Sequence, residues 1–432
     1  MVKRGLCTGC GTCVGMCPQE AIEMFKDNSK GIYVPYISME KCSLCGVCFK
    51  VCPGHFVDFK NERTCLMGET PSYYLGHAID HNVRYNSSSG GIVTALLLHA
   101  LEKGIIDGVL VTKMSKDNPL EPESFIARTK EDIISASKSK YCPVPANIVL
   151  KEILKEEGKF AVVGLPCHIH GIRKAERFDK RLKDKIILHL SLFCGHNDTF
   201  LQTDFFLQKK GVKKQNVAKI DYRGDGWPGM ITVLLKNGSI KKTHFSEYIG
   251  LHSLWFFAIR RCKFCFDMTG ELSDISSGDA WLPSVMNQDT IGTSIVISRT
   301  RMSARIIQEA IREKKLSLKN IELSKVEQSI STITRKRDVK LQYLLPLGRA
   351  IPNYNVSLFK PRITNYIRVL MISFNIWIST PPLVKFVPSF FKLEKSLFRL
   401  MGRSKKILRT FSVRVSVKKS PNKFKDKEPM RE

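Results

Sequence analysis

The sequence predicts an α/β domain with a largely parallel sheet and a small β subdomain, preceded by a short cysteine-rich module. Three observations carry this reading. One cysteine motif is written twice within the first 60 residues. Beyond it, apolar strand-like runs alternate with helical patterns, the mark of βαβ units. Later, "NVAKIDYRGDGWPGMITVLLKNGSIKKTHF" holds two β-rich runs, the second split by Asn-Gly, which reads as an antiparallel hairpin in a small insert. A chain of 432 residues is long for one domain. The expected divisions are 1–60, 61–345 and 346–432, the last a basic, amphipathic extension.

The first element is the most specific. "CTGCGTCVGMCP" carries Cys7, Cys10, Cys13 and Cys17, and "CSLCGVCFKVCP" repeats the spacing at Cys42, Cys45, Cys48 and Cys52. Each half reads C-x2-C-x2-C-x3-C-P, the signature of a two-cluster ferredoxin. Three thiolates on one tight loop face one [4Fe–4S] cube, and the fourth cysteine reaches the other cube. One cluster is therefore expected on Cys7, Cys10, Cys13 and Cys52, the second on Cys42, Cys45, Cys48 and Cys17. Zinc also takes four thiolates, but its usual grouping is two separated C-x2-C pairs.

Composition sets the surroundings. The net charge of +29 favours an anionic partner: nucleic acid, an anionic membrane face or an acidic substrate. "MVKRGL" leads into the cysteines without an apolar leader. Fourteen cysteines in such a chain point to a reducing, cytoplasmic compartment, where clustered thiols mean metal more often than disulfide.

The α/β elements follow. "EKGIIDGVLVTKM" reads as a helix end and a strand, "KFAVVGLPCHIHGIRKAERF" as strand, loop and helix, and "KDKIILHLSLFCGH" and "IGTSIVISRT" as further strands. If the runs before Cys167 and Cys194 are neighbouring parallel strands, both cysteines lie on the carboxyl rim, where open sheets bind ligands. "RCKFCFD" adds Cys262 and Cys265. Four thiolates suit a third cubane; buried small hydrophobes and half a zinc ribbon are the alternatives. Cys65 and Cys142 read as structural, and His168, His170, His189 and His196 as core or surface residues.

"YNSSSGGIVTALLLHALEKGIIDGV" places a loop of small residues, 87–91, ahead of an apolar-periodic helix. Such a start either favours a phosphate or electron-rich ring edge, or is a helix capped by serine. A chain that links one-electron clusters to an organic reductant needs a flavin. The one G-x-G-x-x-G, at 224–229, lies between two β-rich runs and opens no helix, so a Rossmann dinucleotide site is not supported.

Taken in order, "SSSGGIVTALLLHALEKGIIDGV", "KSKYCP", "VVGLPCHIHGIRK", "LFCGH", "DYRGDGWPG", "RCKFCFD" and "SDISSGDAW" resemble the beta-subunit family of coenzyme F420 hydrogenase and dehydrogenase over roughly residues 1–345. The resemblance implies noncovalent FAD and a [4Fe–4S] cluster at Cys167, Cys194, Cys262 and Cys265. It implies flavin contacts from Ser88, Ser89, Gly90, Gly91 and Thr94, with Ser139, Lys140 and Tyr141 along the ring system and Gly278 and Asp279 nearby. Arg223 and Trp227 are implied to border the substrate pocket. "GLPCH" departs from the more usual G-T-P-C-Q but keeps the cysteine.

From residue 360 onward there are 18 Lys and Arg against 4 Asp and Glu. The uncharged stretch 369–384 is shorter than the about 20 residues a span needs. The tail reads either as an interfacial helix on an anionic membrane, anchored by Phe390, Phe391, Leu397, Phe398 and Leu400, or as a helix packed on the domain. Nucleic acid is disfavoured, since no binding motif appears. The expected activity is an FAD- and iron–sulfur-dependent oxidoreductase linking coenzyme F420 or another hydride carrier to a ferredoxin or redox-complex subunit. The alternatives are a ferredoxin-driven reductase of an organic, polysaccharide-pathway substrate and a non-catalytic electron-wiring subunit.

Overall fold

The structure, a computed structural model, describes residues 1–59, 71–345 and 350–401; Cys65 lies outside them. The chain opens with an antiparallel hairpin, β1 (Ile22–Asp27) and β2 (Ile32–Ile37). A one-turn helix follows each cysteine loop, Thr12–Gly15 and Val47–Lys50. Gly11 (φ 83) and Gly46 (φ 72) enter these turns in the left-handed region, which a side chain would strain. A Cβ on Gly11 would also lie 2.8 Å from the Pro145 carbonyl. Glycine is thus what lets the first loop rest on the rest of the protein.

After the short β3 (Phe56–Val57) come β4 (Ser72–Ala78), β5 (Gly108–Met114), β6 (Pro122–Ala127), β7 (Phe160–Gly164) and β8 (Ile186–Leu192). Then follow β9 (Val217–Asp221), β10 (Met230–Leu235), β11 (Ile240–His244), β12 (Ile275–Asp279), β13 (Ser294–Ser298), β14 (Leu316–Asn320) and β15 (Asn353–Tyr354). The central sheet has eight strands in the order β14-β4-β13-β12-β8-β7-β5-β6. Its middle four, β12, β8, β7 and β5, are mutually parallel. The flanking pairings are antiparallel, so the expected parallel strands form the centre of the sheet and antiparallel ones its edges. The physical reason is visible at β5, which turns into β6 through a link too short for a crossover helix. Leu110, Val162, Leu188, Leu190 and Ile275 are fully buried, as a sheet covered on both faces requires.

The hairpin expected near Asn237 is there: β10 and β11 pair antiparallel, and β9 completes a separate three-stranded sheet. The cysteine-rich module does not stand apart. Met16, Val47, Val51, Val57 and Phe59 share one apolar core with Leu110, Leu150 and Ile169. The Asn147 side chain donates to Thr12 Oγ1 at 2.8 Å, and Lys174 Nζ donates to the Cys52 carbonyl at 2.7 Å. β15 pairs with β3, so residues 353–354 belong to this seam rather than to a tail.

The carboxy-terminal helices are Ile363–Ile378 and Val387–Met401. The first packs on the Thr332–Leu344 helix, where the Asn365 side chain and Arg368 both meet Asp338, at 2.7 and 2.9 Å. Phe390 and Phe391 pack toward Phe256, Phe257 and Ile378 rather than outward. The side chains of Leu397, Phe398 and Leu400 lie outside the described residues. Among those residues no single helix is long and apolar enough to cross a membrane.

Candidate functional site

The eight module cysteines sort into two groups in space. Burial pushes the Cys7 thiol up to about 12, with Cys10 and Cys52 adding to it. Cys13 is raised by burial and then by Cys10, Cys7 and Cys52, with Cys48 of the other group adding last. Cys48 is raised by burial, then by Cys17, Cys45 and Cys42. Thiols that burden one another this way are close together, and they stay ionised only where a metal replaces their protons. Backbone amides reach the sulfurs: Gly9 to Cys7 at 3.4 Å, Ala21 to Cys17 at 3.3 Å and Gly54 to Cys52 at 3.4 Å. Such N–H···S contacts tune a cluster's potential. Cys45 is exposed, so the second group faces solvent.

A third set lies deeper. Cys167 begins the helix after β7 and Cys194 follows β8, on the carboxyl rim of two adjacent parallel strands. Cys262 and Cys265 arrive on a loop, and the four line one small cavity. Burial raises all four, and each of Cys167 and Cys194 is raised further by Cys262 and Cys265. Burial pushes Cys262 up to about 11. Two guanidiniums back the site: Arg335 Nε donates to the Cys265 carbonyl at 2.6 Å, and Arg261 Nε to the Leu6 carbonyl at 3.1 Å. Sequence reasoning misses both arginines, although Arg261 adjoins the cysteine pair in "RRCKFC". The donor set suits a cubane: four thiols, dry surroundings and cations to offset its charge. Thr8, from the first cysteine loop, lines the same cavity, and Cys10 adds to the rise of the Cys167 thiol.

Beside this cavity opens a cleft lined by the 87–89 loop, the first turn of the Ile92–Glu102 helix, residues 137–141, Cys194 and 277–279. Gly91, at φ 74, is the residue that starts the helix; no serine side chain caps it. Ser88 Oγ instead accepts from the Ser139 amide at 2.7 Å and ties the two loops together. Amides in the first turn of a helix have no partner within the helix, so this wall suits a phosphate or ring oxygen. Thr94 and Tyr141 also line the cleft.

Several expected contacts are arranged differently. Gly90 faces the sheet: its amide donates to Ser294 Oγ at 2.9 Å, and a Cβ there would lie 2.7 Å from the Gly76 carbonyl. Lys140 lines the cleft, but its Nζ turns back to the carbonyls of Ala136, Ser137 and Lys138. Gly278 leaves room for the Phe193 side chain, which would lie 2.5 Å from a Cβ at that position. Arg223 and Trp227, expected at the pocket border, stand behind its wall. Arg223 is buried and forks onto Asp279 at 3.2 and 3.3 Å, donates to Tyr141 Oη and the Ser88 carbonyl, and lies over the Phe245 ring at 4.3 Å. Trp227 Nε1 donates to the same carboxylate at 2.6 Å. Their role is to fix Asp279 and the serine loop.

The four histidines are buried. His168 Nδ1 accepts from the Leu165 amide at 3.0 Å. His189 sits between Glu176 and Asp274, and His170 meets Asp267 at 2.8 Å. His196, stacked on His252, shares Asp198 with it. Cys142 is fully buried.

Comparison with known proteins gives three family matches: the coenzyme F420 hydrogenase/dehydrogenase beta subunit N-term over residues 73–151, its C terminus over 157–324, and a 4Fe-4S dicluster domain over 6–55. The chain is 31% identical over 269 residues to the coenzyme F420 hydrogenase subunit beta of Methanothermobacter thermautotrophicus, covering 60% of this chain and 87% of the relative. It is 28% identical to the coenzyme F420-dependent sulfite reductase of Methanocaldococcus jannaschii, covering 74% of this chain and 48% of that one. Among solved structures, a chain of the F420-reducing [NiFe] hydrogenase complex from Methanosarcina barkeri has the same fold, with a TM-score of 0.50 at 23% identity over 67% of this chain and 97% of the other.

Proposed function

Because the chain belongs to the coenzyme F420 hydrogenase/dehydrogenase beta-subunit family, we propose that it is an FAD- and [4Fe–4S]-dependent cytoplasmic oxidoreductase. In this reading it exchanges hydride with reduced coenzyme F420 or a similar carrier and delivers electrons to a ferredoxin or a redox-complex subunit. A flavin supplies the conversion between a hydride and single electrons, which iron–sulfur clusters carry one at a time. The first turn of the Ile92–Glu102 helix and the Ser88 and Ser89 loop hold the flavin, with 139–141 and 278–279 along its rings. Cys167, Cys194, Cys262 and Cys265 hold one cluster, and the two module sets hold two more. Hydride exchange needs alignment more than an acid or base; Arg223 and Trp227 supply it indirectly by fixing Asp279.

The observation that carries this reading is that Cys194 borders both the cleft and the four-cysteine cavity, whose wall includes Thr8 from the first cysteine loop of the module. Electrons thus have a short path from the cleft to the amino-terminal module. The test is the purified, anaerobically reconstituted chain, assayed for flavin, iron and oxidation of reduced F420 with a viologen acceptor. Activity together with bound FAD supports the reading. Full iron and flavin without F420 oxidation favours a wiring subunit or a ferredoxin-driven reductase of an organic substrate. Iron-replete protein with no flavin removes the FAD assignment.

A further inference from the structure

The Ile363–Ile378 helix is apolar on both faces: Ile372, Ile376 and Ile378 are buried in the core beneath it. Its exposed positions are Ile363, Tyr366, Ile367, Leu370, Phe374 and Trp377, every one of them apolar or aromatic. Its buried positions include Asn365, at 2% exposure, and Asn375, at 1%. The inner amides are occupied: Asn365 donates to Asp338, and Asn375 donates to the Leu254 carbonyl at 2.8 Å and to Glu394 at 3.1 Å. A helix on a water-facing surface carries a polar outer face. A continuous exposed stripe of this kind marks a surface that something other than water covers.

We infer that this stripe lies in the interface of an anionic lipid bilayer and docks the protein there without crossing it. Three features favour lipid as the occupant. Lys360 and Arg362 are exposed just ahead of the helix, and Lys385 and Lys392 on the segments that follow it, basic groups that acidic headgroups would attract. Tyr366 and Trp377 carry the amphipathic rings that suit the headgroup boundary. Residues 402–432 add 11 Lys and Arg against 3 Asp and Glu. Crossing is opposed by two facts. The 16 residues rise only about 24 Å, short of a hydrocarbon core of roughly 30 Å. The inner face is tied to the protein by Asn365, Arg368 and Asn375 and cannot turn to lipid. The next helical segment leaves at a bend of 119°, so the two do not continue as one straight span. The inference is independent of which substrate the cleft takes.

The test uses the full-length chain with phosphatidylcholine vesicles, with and without phosphatidylglycerol. Of the four tryptophans, Trp227, Trp255 and Trp281 are buried and Trp377 is 57% exposed, so a vesicle-induced fluorescence change reads this helix. The expected result is co-sedimentation with the anionic vesicles, partial release by salt, a blue shift and quenching by brominated lipid. The variant Ile367→Gln/Leu370→Gln/Trp377→Gln should bind about tenfold more weakly, since apolar contact adds to charge. Its iron content and melting temperature should match the parent's, because the three side chains are exposed. Equal binding by parent and variant, or a parent that ignores anionic vesicles, overturns the inference. So does dimerisation through the stripe without lipid binding. Should the variant misfold, absence of brominated-lipid quenching in the parent overturns it on its own.

Discussion

The two cysteine regions have the same chemistry and opposite construction. In the module, eight cysteines come from two short loops, and one of them, Cys45, is open to solvent. In the α/β domain, Cys167, Cys194 and the Cys262/Cys265 pair come from two strand ends and a distant loop, and they meet only in the interior. Local turns hold the first site, and the whole sheet holds the second. Damage to the sheet should therefore reach the inner site and the cleft while sparing the outer one.

The largest effect is expected from Cys194→Ala, at the one cysteine that borders both cavities. Iron should fall by about four of about twelve atoms. Oxidation of reduced F420 with viologen should fall by at least about 100-fold, on the order of 2.7 kcal/mol in barrier. Iron and sulfide analysis against the parent decides the matter; unchanged iron would leave the inner site without a cluster and end the comparison.

Next comes Arg223→Met. Removing the guanidinium takes the ion pair from Asp279 and leaves Trp227 Nε1 as its donor at the cleft wall, a loss of about 1–3 kcal/mol. Denaturant unfolding should show the loss, and flavin should dissociate, while the spectroscopic signal of the module clusters persists. Loss of the module signal as well would mean that the shared core makes the two regions one cooperative unit.

Gly90→Val should act through the sheet rather than by contact with a cofactor. Its side chain would press on the Gly76 carbonyl and Ser294, at an overpacking cost of about 1–3 kcal/mol. Lower flavin occupancy with a lower melting temperature is the expected pair of results. Flavin loss at unchanged stability would show that the loop touches the cofactor through Gly90 itself.

The smallest effect lies outside both regions and tells whether neutral-pH sensitivity belongs to the thiol sites. Burial raises the Glu394 carboxyl to about 7. Below about pH 4.5 the group is protonated in both the folded and unfolded chain and costs nothing. Between there and about pH 7 only the unfolded chain ionises, so stability falls as pH rises and the cost is complete above that point. Glu394→Gln should raise the melting temperature at about pH 8 and leave it unchanged at about pH 4. A pH profile identical to the parent's would assign the sensitivity elsewhere.

The module motif is legible in the sequence because its spacing encodes its geometry: x2 gaps and the glycines Gly11 and Gly46 force the loops that gather the thiols. The inner four cysteines are legible only as candidates, since residues far apart in the chain meet through strand order. The loop at 88–91 is legible too, but the direction Gly90 faces is not. That depends on β4 and β13 lying beneath it, and no local pattern reports a strand-to-loop approach. Arg223 and Trp227 stand out in the sequence, yet the structure sets them one layer behind the expected place. A buried arginine and a pocket arginine look alike until the carboxylate they serve is located.

By itself, then, the sequence determined what is local: two cysteine loops, the strand and helix periods, a hairpin at Asn237 and an excess of positive charge. The tertiary structure decided what is shared between distant segments. It made the sheet mixed, joined the module to the domain through one core, and closed four thiols around one cavity. It also set the polarity of the Ile363–Ile378 helix. Its sequence shows an apolar stretch with scattered amides. Asp338 and the Leu254 carbonyl on one side, with the apolar clusters that take Ile372, Ile376 and Ile378, determine which face turns inward and leave the second apolar stripe outward, because a buried amide must find its hydrogen-bond partners wherever the fold supplies them.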